Sequence, residues 1–135
     1  MLRAEIWDIS KKTYLTHKDL DEGRQYPKMV RREVFKVAVT KIPEVVYETL
    51  KANNLKVEDI GLFLPHQANL RINQFAAQQL GVPEEKFYSN IQRYGNTTTG
   101  SLPIALSETL EQGLIKEGSL NMIVAFGSGF TGEQM

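Results

Sequence analysis

Short apolar runs of strand length, separated by stretches with helical spacing, most restrict what this chain can fold into. Residues 60–64 (Ile-Gly-Leu-Phe-Leu) and 121–126 (Asn-Met-Ile-Val-Ala-Phe) are long enough for a strand and too short for a buried helix. Ahead of the first run, Val34, Ala38, Ile42, Val46 and Leu50 recur every four residues, with Phe35, Val39 and Val45 widening the stripe. That period predicts an amphipathic helix. Pro43 lies inside it, lacks the amide that would bond to the Val39 carbonyl, and predicts a bend or a division there. Asn53-Asn54 offers a left-handed stop.

The same reading continues along the chain. Pro65 ends the first apolar run, because proline cannot continue a central ladder. Asn69 is placed to cap a helix with Ile72, Phe75, Ala76 and Leu80 on one face, closed by Gly81 and Pro83. Residues 87–91 predict a further strand. A third helix follows the small-residue loop 95–101, with Pro103 in its first turn, a stripe of Leu102, Ala105, Leu106 and Leu110, and Gly113 at its end. At the N-terminal side, residues 2–9 predict a short strand, and the polar stretch 10–28 predicts a loop. Strands alternating with helices imply crossover connections and a mainly parallel sheet, so the expected fold class is α/β.

Composition narrows the function classes. The 135 residues are 41% hydrophobic, enough for one core, so the chain is read as one domain or part of one. Sixteen Lys and Arg balance sixteen Asp and Glu, leaving no overall field to drive binding to nucleic acid or an anionic membrane. Without cysteine there is no disulfide frame, no thiolate metal site and no cysteine nucleophile within the chain. Two histidines do not supply the three or four ligands of a zinc site. No apolar run approaches the roughly 18 residues of a membrane span and the first residues lack a signal-peptide core, so a cytoplasmic protein is expected.

In parallel sheets, polar groups that do chemistry gather beyond the carboxyl ends of the strands. Three elements are expected there: His66, Asn96, and the turn Gly127-Ser128-Gly129. Each has an ordinary alternative. Residues 127–132 read G-x-G-x-x-G, but only Glu133-Gln134-Met135 follow, too few for the helix and acidic residue of a dinucleotide site. A tight turn with unobstructed amides fits better. Asn96-Thr97-Thr98 matches a glycosylation acceptor by accident, and His17 is read as a solvated surface residue. Lys28, Arg31, Arg32, Lys36 and Arg71 form either a solvated face or a docking surface for an anionic partner, and Glu84-Glu85 is a connector pair.

Three motifs in fixed order carry a specific resemblance: 65–72 (Pro-His-Gln-Ala-Asn-Leu-Arg-Ile), 94–97 (Tyr-Gly-Asn-Thr) and 125–131 (Ala-Phe-Gly-Ser-Gly-Phe-Thr). Together they resemble the C-terminal half of beta-ketoacyl-ACP synthase III, the initiating condensing enzyme of bacterial fatty acid synthesis. The resemblance covers residues 32–135, while 1–31 match weakly. It implies one half of a thiolase-like fold, with a mainly parallel mixed sheet and helices. It also implies that the family's final antiparallel strand is missing after Thr131, leaving the neighbouring strand with an unpaired edge.

The same resemblance implies that His66 and Asn96 are catalytic partners of a cysteine supplied by the other half, and that the chain alone is inactive. A backbone amide near Ser128 would hold an oxyanion, Asn69 would contact the pantetheine arm, Phe126 would border the acyl site, and Arg71 would meet the carrier protein or CoA phosphate. Acyl-CoA and malonyl-ACP would be substrates, with no cofactor or metal. The implied partners are acyl carrier protein and a cysteine-bearing N-terminal half, or a second copy of this chain. The alternative is a noncatalytic module binding acyl carrier protein or CoA.

Overall fold

A computed structural model describes residues 2–3, 15–26, 28–127 and 132–134, with side chains placed over 15–26 and 30–127. Its centre is a three-stranded sheet of β3 (Ile60–Pro65), β4 (Leu120–Phe126) and β5 (Gly132–Gln134), in that order. β3 and β4 run parallel, and β5 returns antiparallel to β4. The unpaired edge expected beside residues 124–126 is therefore corrected: Val124, Ala125 and Phe126 pair with Gln134, Glu133 and Gly132. Farther toward the N-terminus, β1 (Leu2–Arg3) pairs antiparallel with β2 (Lys28–Met29). Most of the strand expected over 2–9 lies outside the described residues.

The polar stretch expected as a loop contains a short helix, α1 (His17–Asp21). Thr16 caps it, its side chain accepting from the Asp19 amide while the Asp19 carboxylate accepts from the Thr16 amide. That reciprocal capping box offsets the absence of an apolar face. The main helical segment forms α2 (Arg31–Ala52), undivided at the buried Pro43. Asn54, with φ 55°, ends it in the left-handed region. Ala38, Ile42, Val46 and Leu50 are buried, as their spacing predicts.

α2 and α3 (Leu70–Leu80) cover one face of the sheet, packing against Phe63, Met122 and Val124. The other face carries Leu62, Leu64 and Ile123, against Ala105 and Leu106 of α5 (Ser101–Glu111). Ile60 lies in the same cluster as Phe63 although the two are three positions apart, which in a regular strand places them on opposite faces. A register irregularity between Ile60 and Leu62 explains this, since one extra residue in a strand reverses the alternation of faces. Gly61 sits at that irregularity, where an added Cβ would come within 3.3 Å of the Leu120 carbonyl oxygen.

Two expectations change on this side of the sheet. Residues 87–91 do not form a strand: Glu84–Lys86 is a 3-10 turn, Phe87 makes a single parallel bridge to Phe63, and Ile91–Tyr94 forms the short helix α4. The physical reason is the Gln67 side chain, which takes the backbone groups a ladder would use. Its amide donates to Tyr88 O at 3.2 Å, and its oxygen accepts from Asn90 N at 3.2 Å. On α5, the buried line is Ser101, Ala105 and Thr109, not the leucine stripe, and Leu110 is 55% exposed. Small side chains let this helix approach the sheet closely, and the Thr109 hydroxyl donates back to the Ala105 carbonyl within the same helix.

Candidate active site

β3 and β4 are parallel, so their carboxyl ends open on the same side. Pro65 is the last residue of β3 and His66 the next; the His66 amide still reaches the Val124 carbonyl at 2.7 Å. The ladder thus fixes the main chain of His66 while releasing its side chain beyond the sheet. The imidazole is half-buried and meets the Phe126 ring edge-on, 6.0 Å between centroids at 76°. Its Nδ1 lies 2.6 Å from Ser101 Oγ, at the first residue of α5. Burial with no compensating charge holds the imidazole below its ordinary pKa, which leaves it neutral near pH 7.

Gln67, fully buried, locks the turn that carries His66. Its side chain donates to Pro65 O at 2.8 Å and accepts from Ser89 Oγ at 3.0 Å, in addition to its bonds with Tyr88 and Asn90. Asn69 then caps α3, its side-chain oxygen accepting from Arg71 N at 2.9 Å, and Gly81 closes the helix at φ 66°. Asn69 and Arg71 are both exposed, and Arg71 makes no ion pair among the described residues.

Asn96 lies on the connection from α4 to α5, exposed and not hydrogen-bonded to His66. Its side-chain oxygen accepts from Thr98 N at 2.9 Å, which fixes the orientation of the carboxamide because a backbone amide can only donate. The Asn96 amide group therefore remains a free donor among the described residues. Thr98 adopts φ 52°, a strained value for a β-branched residue, within a loop that delivers Ser101 to His66 five residues after Asn96.

The other end of this loop is anchored by Glu108. Its carboxylate accepts from Tyr88 Oη at 3.0 Å, Asn90 Nδ2 at 2.7 Å, an Arg93 guanidinium nitrogen at 2.8 Å and Tyr94 Oη at 2.7 Å. These donors, Asn90 first, hold the carboxyl below the usual range despite the opposing effect of desolvation. Four groups from 88–94 are thereby tied to α5 just before Gly95 and Asn96.

Of the residues singled out from sequence, His66 and Phe126 are brought into contact, Asn96 sits on the loop leading to their neighbour Ser101, and Asn69 and Arg71 flank the start of α3. Ser128 lies outside the described residues. Ser101, Gln67 and Glu108 were not singled out, since nothing local distinguishes a serine at a helix start or a glutamine beside a histidine. Among the described residues, no group of three or more His, Cys, Asp or Glu is placed to hold a metal ion, and no helix is long and apolar enough to cross a membrane.

Comparison with known proteins places this geometry. The chain is 45% identical over 116 residues to beta-ketoacyl-[acyl-carrier-protein] synthase III of Chlorobium phaeobacteroides, covering 86% of this chain and 35% of that protein. It is 46% identical over 106 residues to the synthase of the same name from Aquifex aeolicus, covering 78% of this chain and 34% of the relative. The chain thus spans about a third of the length of these curated relatives. The crystal structure of the Aquifex aeolicus 3-oxoacyl-[acyl-carrier-protein] synthase III superposes with a TM-score of 0.78 at 45% identity, over 80% of this chain and 35% of that one. The corresponding Pseudomonas aeruginosa structure gives 0.79 at 31% identity, over 98% of this chain and 42% of that one. The α/β architecture is thiolase-like. A family described as 3-Oxoacyl-[acyl-carrier-protein (ACP)] synthase III C terminal matches residues 50–135, the stretch that carries His66, Asn96 and β4, and the chain belongs to that family.

Proposed function

We propose that this chain supplies the His66 and Asn96 donor pair of a decarboxylating condensing enzyme of fatty acid synthesis, acting with a cysteine that lies outside its sequence. The substrates are an acyl-CoA, whose acyl group is carried on that cysteine, and malonyl-ACP. Loss of carbon dioxide from the malonyl group leaves the electron pair of the broken C–C bond on the thioester as an enolate. The enolate carbon then attacks the acyl thioester carbonyl, and the cysteine thiolate departs. Two preorganised N–H donors aimed at the enolate oxygen lower this barrier, each by about 2.7–4 kcal/mol in comparable oxyanion sites.

The observation that carries this reading is the state of the Asn96 carboxamide: the bond from Thr98 N fixes which end is the oxygen, and the NH2 group is left with both donors unpartnered among the described residues. A neutral, half-buried His66 suits the same task, because an imidazole that stays neutral presents one N–H without adding a positive charge. The backbone near Ser128 is assigned to the oxyanion formed when the acyl group passes to cysteine. Phe126 is assigned to the border of the acyl site, and Asn69 to contact with the pantetheine arm.

The test is complementation. The chain mixed with a cysteine-bearing N-terminal half of a relative should release carbon dioxide from malonyl-ACP in an acyl-CoA-dependent manner, and the chain alone should not. Turnover by the chain alone would refute the need for an external cysteine, and no turnover by a well-folded mixture would refute the catalytic reading.

The alternative, a noncatalytic module for carrier protein or CoA, would dock through exposed basic side chains of α2 and α3. Arg71, Arg31, Arg32 and Lys36 make no ion pair among the described residues, and the Phe35–Phe75 ring contact, 6.2 Å between centroids, joins the helices that carry them. Binding of acyl carrier protein that weakens with salt and with Arg71→Ala supports it; binding indifferent to both rejects it.

A further inference from the structure

The hydroxyl of Ser101 has two recorded neighbours, and their chemistry determines which way its proton points. Gln67 N lies 3.3 Å from Ser101 Oγ and can only donate to it. His66 Nδ1, at 2.6 Å, can accept or donate depending on where the ring carries its proton. Ser101 is 2% exposed, so its hydroxyl proton cannot turn to bulk water. If Nδ1–H donated to Oγ, the oxygen would accept twice and its own proton would be left buried without an acceptor among the described residues. If Oγ donates to Nδ1, all three groups are satisfied.

We propose that Ser101 is a positioning residue that sets the His66 tautomer, holding Nδ1 as an acceptor so that the ring proton resides on Nε2. His66 Nε2 makes no hydrogen bond among the described residues, so its N–H is not committed to another described group. Burial of the imidazole without a neighbouring charge keeps it neutral, the state in which a tautomer choice exists. The inference gains its catalytic meaning from the donor-pair reading, but its test reads ring protonation directly and needs no turnover.

The test is 15N NMR of the labelled full chain above the His66 titration. His17→Gln serves to assign signals, because the chain has two histidines. Nε2 should give the pyrrole-type signal coupled to both ring protons, and Nδ1 the pyridine-type signal. Ser101→Ala should pull the two nitrogen shifts toward each other as the tautomers mix, while Ser101→Thr, which keeps the hydroxyl, should restore their separation. A pyridine-type Nε2 in the parent overturns the proposal even if Ser101→Ala does not fold. So does an unchanged Nε2–H pattern in a folded Ser101→Ala. Complementation can fail while the tautomer result stands, so the two readings fall separately.

Discussion

The side-chain oxygen of Gln67 accepts a hydrogen bond from the backbone amide of Asn90 at 3.2 Å, across 23 residues of sequence. This bond ties the turn carrying His66 to the segment that leads through α4 to Asn96. The same carboxamide donates to Pro65 O and Tyr88 O, so one buried side chain takes the place of a strand ladder.

Gln67→Leu keeps the volume and removes every side-chain partner. Asn90 N, Tyr88 O and Pro65 O then lose their bond to it in a buried setting, where an orphaned group costs about 1–3 kcal/mol. A fall of at least this size in urea-unfolding stability is expected, with lost amide protection at Asn90 in hydrogen exchange. Unchanged protection at Asn90 would show that the bond does not hold the segment.

Phe63, 0% exposed, stacks on Phe87 with centroids 5.6 Å apart and planes 20° from parallel, at the single bridge that survives between their segments. Phe63→Ala is expected to cost about 3–5 kcal/mol, the range for emptying a buried aromatic site. Phe75→Ala, at a side chain 47% exposed, should cost well under that. Equal denaturation midpoints for the two variants would contradict this placement of the core.

The depressed pKa of His66 fixes the sign of a pH effect. The unfolded chain titrates near the ordinary 6.5 and the folded imidazole lower, so between the two values the unfolded state binds more protons. Stability therefore rises with pH through this window and its His66 part is fully present above 6.5; it is lost as pH falls toward the folded value. His66→Gln should flatten this part of the stability profile measured by denaturation across pH. A profile unaltered by the substitution would assign the dependence elsewhere.

Asn96→Asp separates the two ends of the carboxamide. An aspartate oxygen still accepts from Thr98 N and preserves the loop, whereas the donors are replaced by a negatively charged oxygen. In the complementation assay, decarboxylative condensation should fall by at least about 10²–10³, the loss associated with one oxyanion donor. The variant should fold with parent stability. Retained activity would remove Asn96 from the donor pair.

Local chemistry carried much of the architecture. The four-residue spacing of Ala38, Ile42, Val46 and Leu50 announced α2, Asn69 announced the cap of α3, and Asn54 and Gly81 announced their stops, because each acts through neighbours within a turn of chain. The three motifs were enough to identify the family. Where pattern reading failed, the deciding partner lay far away in sequence. Residues 87–91 have strand-like composition, yet Gln67 occupies their backbone groups; the leucines of α5 suggested a buried stripe, yet Ser101, Ala105 and Thr109 are the side chains small enough to sit against the sheet.

The sequence by itself determined the types of the main elements, most of their ends and the positions of His66 and Asn96, because propensity, capping and proline stops act over a few residues. Only the tertiary structure decided that His66 would meet Ser101 and Phe126, and that Glu108 would gather four donors before the Asn96 loop. Those contacts join residues separated by 14 to 60 positions, and they form only when the packing of helices on the sheet brings their groups together.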